Sequence, residues 1–132
     1  MVLDSISFAH LNVACFTKVE IQQLILKQIG KHFQVLNLVE NHTQSKTEIG
    51  LKRRFPTSEF YFNHGPPQNN REMHKEGCKG TLITFQQGLL KVKDFKIHMQ
   101  GRLSTLDFEK EGQPYQLTSI YAPSENETSS SI

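Results

Sequence analysis

Ser5-Ile6-Ser7-Phe8-Ala9-His10-Leu11-Asn12-Val13 and Phe33-Gln34-Val35-Leu36-Asn37-Leu38-Val39 are two short, largely apolar runs, and the stretch between them decides the fold. In the first run Ile6, Phe8, His10 and Asn12 fall on one side of an extended chain. Ser7, Ala9, Leu11 and Val13 take the other. Small or apolar residues on both sides predict an interior strand. Between the runs, Thr17-Lys18-Val19-Glu20 has the T-x-x-E pattern of a capping box, in which the hydroxyl and the carboxylate satisfy orphan amides. Ile21, Leu24, Ile25, Gln28 and Ile29 follow at helical spacing, and Gly30 supplies a stop. A helix is predicted over 18–31 and a second strand over 33–39. Strand–helix–strand with short links gives a parallel pair with a right-handed crossover. Both strands then end on one edge, and Asn12 and Glu40 become neighbours across it.

Further along, the sequence turns polar from Glu40 to residue 50. A helical turn is expected over 48–54, ended by Pro56, with a short strand over 59–62. Residues 63–78 carry His64-Gly65-Pro66-Pro67 and Gln68-Asn69-Asn70, which is loop composition. From 79 onward a β-meander is expected: strands over 80–85 and 89–99, then a hairpin of 101–109 and 114–121 around Lys110-Glu111-Gly112-Gln113. The polar tail over 125–132 reads as disordered. The fold class is α/β (α+β), with a mixed sheet, one main helix and a C-terminal meander in a single domain over 1–124.

Composition narrows the function classes. The chain has 132 residues, 36% hydrophobic and 21% charged, with nine Phe and no Trp, which suits one globular domain. A net charge of +2 does not by itself argue for nucleic acid. The two cysteines, Cys15 and Cys78, form no CxxC pair and no Cys/His ligand spacing, so they read as free thiols in a reducing compartment. The first residues lack the basic and apolar regions of a signal peptide, and no stretch reaches the length of a membrane span. An intracellular location, nuclear or cytoplasmic, follows as the expectation, with no membrane partner.

Three groups stand at strand ends, where an α/β scaffold places its chemistry. They are Asn12 in His10-Leu11-Asn12-Val13, Glu40 in Leu38-Val39-Glu40-Asn41-His42, and Tyr121 in Ser119-Ile120-Tyr121-Ala122-Pro123-Ser124. Their order resembles the N-terminal half of the endonuclease/exonuclease/phosphatase (DNase I-like) family. Within it, Leu51-Lys52-Arg53-Arg54-Phe55-Pro56 and Phe60-Tyr61-Phe62-Asn63 are similar to the LINE-type (non-LTR) retrotransposon group. The resemblance runs from about residue 5 to 124. Val39 and Asn41 depart from the family's Gln-Glu-Thr-His-like context. The resemblance implies half of a four-layer α/β sandwich and a Mg²⁺-dependent endonuclease acting on DNA.

On that resemblance Glu40 is the metal ligand, Asn12 a catalytic group that holds metal-bound water or orients the carboxylate, and Tyr121 a donor to the scissile phosphate. Lys52, Arg53, Arg54 and Arg102 become candidate phosphate contacts. Plainer readings stand beside these. Glu40 could be a solvated loop residue, Asn12 a strand-end amide bonded to backbone, Tyr121 an aromatic covering the core edge, and the basic run a solvated face. His42, His64, His74 and His98 show no zinc spacing.

The family's Asp-x-Asn, Gly-Asp-Phe-Asn-like and late Asp-His motifs do not occur in this sequence. The expectation is therefore a truncated domain, inactive alone, with weak or absent Mg²⁺ binding. It would self-associate or pair with a complementary C-terminal half. A non-catalytic nucleic-acid- or protein-binding module and an unrelated small interaction domain are the alternatives.

Overall fold

β2 (Val35–Val39) is buried along its whole length because both of its faces are covered. Leu36 and Leu38 pack with Phe16, Ile25, Leu51, Phe60, Phe62 and Leu82 on the helical side. Val35 packs with Ile83, Phe85, Leu90, Leu106 and Phe108 on the other. These two clusters are the two cores of a layered domain. The computed structural model describes residues 6–65 and 80–122. The tail over 125–132, most of the 63–78 segment and Cys78 lie outside the described residues.

The first sheet has the order β1-β2-β4-β3, formed by β1 (Phe8–Asn12), β2, β3 (Ser58–His64) and β4 (Gly80–Gln86). β1 and β2 are parallel, with Asn12 opposite Val39, as the crossover reading requires. β4 runs antiparallel to both β2 and β3. The second sheet is the antiparallel meander β5 (Lys91–Met99), β6 (Leu103–Lys110) and β7 (Gln113–Ile120). Two helical segments cover the outer face of the first sheet. α1 (Val19–Gln23) runs into a wider, π-helical turn over Leu24–Ile29, and α2 spans Ser45–Arg54.

Four expectations need correction. Among the described residues β1 is an edge strand, with alternating exposed and half-buried residues. Ala9 and Leu11 pack on the helical core. The second sheet reaches over β2 and β4 but leaves the Phe8–His10–Asn12 side of β1 open. The strand expected to begin the meander is instead β4, inside the first sheet. Its residues from Gly80 to Phe85 are buried on both faces, which a central position satisfies.

The capping box at Thr17 does not form. Lys18 occupies the cap position without a side-chain bond, and the Thr17 hydroxyl meets Cys15 Sγ at 3.2 Å. The helix also widens before Gly30, whose N–H bonds the Ile25 carbonyl. A Cβ at Gly30 would stand 2.2 Å from the Leu26 carbonyl oxygen, so this widened turn requires glycine. Finally, α2 is a full helix rather than a single turn. Its first turn is supported by the Gln44 N–H, which donates to Thr47 Oγ1 at 3.4 Å.

Candidate functional site

Ladder register traces one rim of the first sheet. Asn12 is opposite Val39, Val39 opposite Thr81, and Thr81 opposite Asn63. The Asn63 carboxamide then bridges to the second sheet: its Nδ2 donates to the carbonyls of Met99 (3.0 Å) and Leu103 (3.3 Å), and its Oδ1 accepts from Gly101 N–H (2.7 Å). In the same turn, the Arg102 carbonyl accepts the N–H of Tyr121 at 2.7 Å. Asn12, Glu40, Arg102 and Tyr121 therefore share one end of the molecule.

The backbone at this rim is strained. Among the described residues four non-glycine positions have positive φ, and three of them, Ala14 (58°), Glu40 (56°) and His42 (58°), follow the ends of β1 and β2. The left-handed conformation costs a side-chain-bearing residue about 1–2 kcal/mol, so it persists only where surrounding contacts enforce it. Those contacts are visible. Asn12 Oδ1 accepts from Ala14 N–H at 3.0 Å and fixes the first turn. Val13 N–H continues the ladder to the Val39 carbonyl, and Phe16 N–H reaches the Asn41 carbonyl at 2.9 Å. Buried Asn41 fixes the second turn, its Oδ1 accepting from Thr43 N–H (3.1 Å) and Thr43 Oγ1 (2.9 Å). A Cβ at Gly80 would press to 2.5 Å from Asn41 Oδ1, and Gly80 has φ +156, so glycine is required behind this turn.

Each side chain has a defined setting. Glu40 is half-buried, Asn12 is exposed, and Tyr121 is 8% exposed, its ring closing the rim. Asn12 thus makes the local backbone bond of the plainer reading while remaining open to solvent. The donors fit Mg²⁺ in kind, being a carboxylate and an amide oxygen, both hard ligands. They provide one carboxylate, and among the described residues no cluster of three metal-ligating side chains forms.

Polar groups continue inward from the rim along β1 and β2. Ser119 Oγ donates to Asn37 Oδ1 at 2.5 Å, and Asn37 Nδ2 lies 3.0 Å from His10 Nδ1. An amide NH₂ only donates, so His10 Nδ1 is the acceptor of this contact.

The basic run is divided. Lys52 is bound to Glu48 at 2.6 Å and lines a recess with Pro56, Ser58 and Gln87, at the opposite end of β3 from His64. Arg53 is exposed on the last turn of α2. Arg54 turns toward α1 and donates to Gln22 Oε1. None of the three meets Glu40, and Arg102 lies in the turn that bonds Asn63 and Tyr121.

Several structural residues escaped the sequence reading. Asn37 had a signal, because a polar amide inside an apolar strand demands a partner. Asn41 stood out only as a departure from the family pattern. Asn63 and the His64–Glu48 pair (2.9 Å) gave none, because their partners are distant in sequence.

No protein-family model matches the sequence, and no curated protein matches it significantly. Solved structures do. An endonuclease/exonuclease/phosphatase family protein from Leptotrichia buccalis C-1013-b superposes with TM-score 0.58 at 13% identity, covering 92% of this chain and 55% of the other. The human Nocturnin catalytic domain, with a bound sulfate anion, superposes with TM-score 0.53 at 12% identity, covering 86% and 48%. This chain has the endonuclease/exonuclease/phosphatase fold. It spans about half the length of the solved structures it matches. At these identities the likeness concerns the fold. The LINE-type affinity, like any role for the rim residues, remains a matter of the residues themselves.

Proposed function

We propose that the rim of Asn12, Glu40 and Tyr121 is the metal- and phosphate-binding edge of a Mg²⁺-dependent phosphodiester hydrolase domain of LINE retrotransposon type, acting on DNA. The observation that supports this reading is that Asn12, Glu40 and Tyr121, far apart in sequence, stand toward one end of the two sheets, along the ladder from Asn12 through Val39, Thr81 and Asn63 to the Arg102–Tyr121 bond. The left-handed residues around Glu40 support it, since such strain collects at functional sites. A tetrahedral anion bound by the Nocturnin domain, which has a like fold, accords with phosphate binding here.

In this reading Glu40 holds the cation. Asn12 holds metal-bound water or orients the Glu40 carboxylate. The Tyr121 phenol donates to a phosphoryl oxygen, and the Arg102 guanidinium neutralises phosphate charge. When bound, Mg²⁺ polarises a phosphoryl oxygen as a Lewis acid. A single carboxylate makes a weak Mg²⁺ site, and hydrolysis also needs a base for the attacking water. The 132 residues alone are therefore expected to bind Mg²⁺ weakly and not to cleave.

Calorimetric Mg²⁺ titration and a plasmid-nicking assay test the reading together. Weak binding abolished by Glu40→Ala, with no nicking by the 132-residue chain, is the expected pair of results. Binding untouched by Glu40→Ala would refute the site. Robust Glu40-dependent nicking would refute the incomplete-site argument. A rim that binds oligonucleotide without Mg²⁺ would favour the alternative of a non-catalytic nucleic-acid-binding module.

A further inference from the structure

A cleft of about 520 Å³ runs along α2 against the start of α1, on the helical side of the loop that follows Glu40. Lys46, Gly50 and Arg54 line it at i, i+4 and i+8, one stripe of the helix, with Thr17, Gln22 and Gln44 opposite or above. Two cations line this wall, and no Asp or Glu does. Among the described residues no carboxylate pairs with either Lys46 or Arg54, whereas Lys52 on the same helix is bound to Glu48.

The cleft is built rather than incidental. Gln22 is fully buried, and its Nε2 donates to the Phe16 carbonyl at 2.8 Å, which turns its Oε1 toward α2. Arg54 Nη2 donates to that oxygen, so one edge of the guanidinium is anchored and its other N–H groups remain to meet a ligand. The guanidinium lies over Gly50, where a Cβ would stand 3.2 Å from Nη1 and 3.4 Å from Nη2. Gln44 Nε2, a buried amide donor on the same wall, has no hydrogen-bond partner.

We infer that this cleft binds a phosphate-class anion, through Arg54 and Lys46. An anchored guanidinium offering paired N–H groups matches phosphate geometry, and a neighbouring ammonium adds charge. His42 of the Glu40 loop also lines the cleft, so it adjoins the rim, but Arg54 and Lys46 belong to α2 and the inference stands whether or not the rim hydrolyses anything. The phosphate could be free or part of a nucleic-acid backbone, and the two sources differ in their salt response.

The test is a ¹⁵N NMR titration of the full chain with inorganic phosphate and, separately, with a short duplex oligonucleotide at several salt concentrations. Saturable shifts at Thr47, Gly50 and the Arg54 side chain are expected. Arg54→Ala and Lys46→Ala should each weaken phosphate binding by about tenfold, the effect of losing one charge-assisted contact. Gly50→Ala keeps every charge and raises helix propensity, yet should also weaken binding, because its methyl group would stand 3.2 Å from Nη1 and push the guanidinium off its anchored position by a few tenths of an ångström. Lys31→Ala should have no effect. Tighter, salt-dependent oligonucleotide binding at the same residues identifies a backbone phosphate. Phosphate binding without oligonucleotide binding identifies a small phosphate ligand. The inference is overturned if cleft residues show no saturable shift. It is equally overturned if Lys46→Ala and Gly50→Ala, which remove no buried contact, both leave phosphate binding intact.

Discussion

Glu40 leaves β2 with φ 56°, a conformation its side chain disfavours. Asn tolerates the left-handed region far better than Glu. Glu40→Asn should therefore raise stability by roughly 0.5–1 kcal/mol in urea denaturation while removing Mg²⁺ binding. Unchanged or lower stability would mean that the loop is not strained. Glu48 makes a second residue-scale case. Burial alone would raise its carboxyl, but hydrogen bonds and charge from Lys52 and His64 outweigh it and hold the group below its usual value near 4.5. A depressed carboxyl contributes stability above its unfolded pKa and loses it as pH falls through the folded one. Wild type should therefore lose stability more steeply than Glu48→Gln as pH drops below about 4.5, read from urea midpoints. Parallel pH curves would contradict that assignment.

Asn63 makes the clearest case at the scale of elements, because its single carboxamide joins the end of β3 to the β5–β6 turn through three bonds. Asn63→Ala leaves the Gly101 N–H and two carbonyls without this partner. The expected cost is about 2–3 kcal/mol, with NMR shifts spreading to Arg102 and Tyr121. A loss below about 0.5 kcal/mol would mean that the sheets are not coupled there. The elements also show what was legible in the sequence. The β1–α1–β2 unit could be read because local periodicity and short links determine it. The edge position of β1 could not, since it depends on which strands pair with it, and its open face depends on how far a sheet some eighty residues later extends over it. β4 was misplaced for the same reason: its apolar run shows two-sided burial but not which neighbours supply it. The Lys46–Gly50–Arg54 stripe was in principle readable as one helix face. Its anchor, Gln22, lies on another helix.

At the scale of the molecule, the layers are unequally covered. Phe8 on β1 and Tyr115 on β7 sit beside the inter-sheet core yet are 44% and 47% exposed, and β7 has a free edge among the described residues. Exposed aromatics beside an unpaired strand favour association. Concentration-dependent self-association is expected by sedimentation velocity, and Phe8→Ser should weaken it several-fold. A monomer at all concentrations would show that this flank is tolerated alone. The same layering brings the two sheets together at the rim, so the account depends on one juxtaposition above all others. Mn²⁺, a spectroscopic substitute for Mg²⁺ at oxygen sites, tests it directly through paramagnetic broadening of backbone amides. Simultaneous broadening is expected at Asn12–Ala14, at Glu40–His42 and at the bonded pair Arg102 and Tyr121, all lost in Glu40→Ala. Broadening centred elsewhere, or confined to one of these three segments, would contradict that juxtaposition.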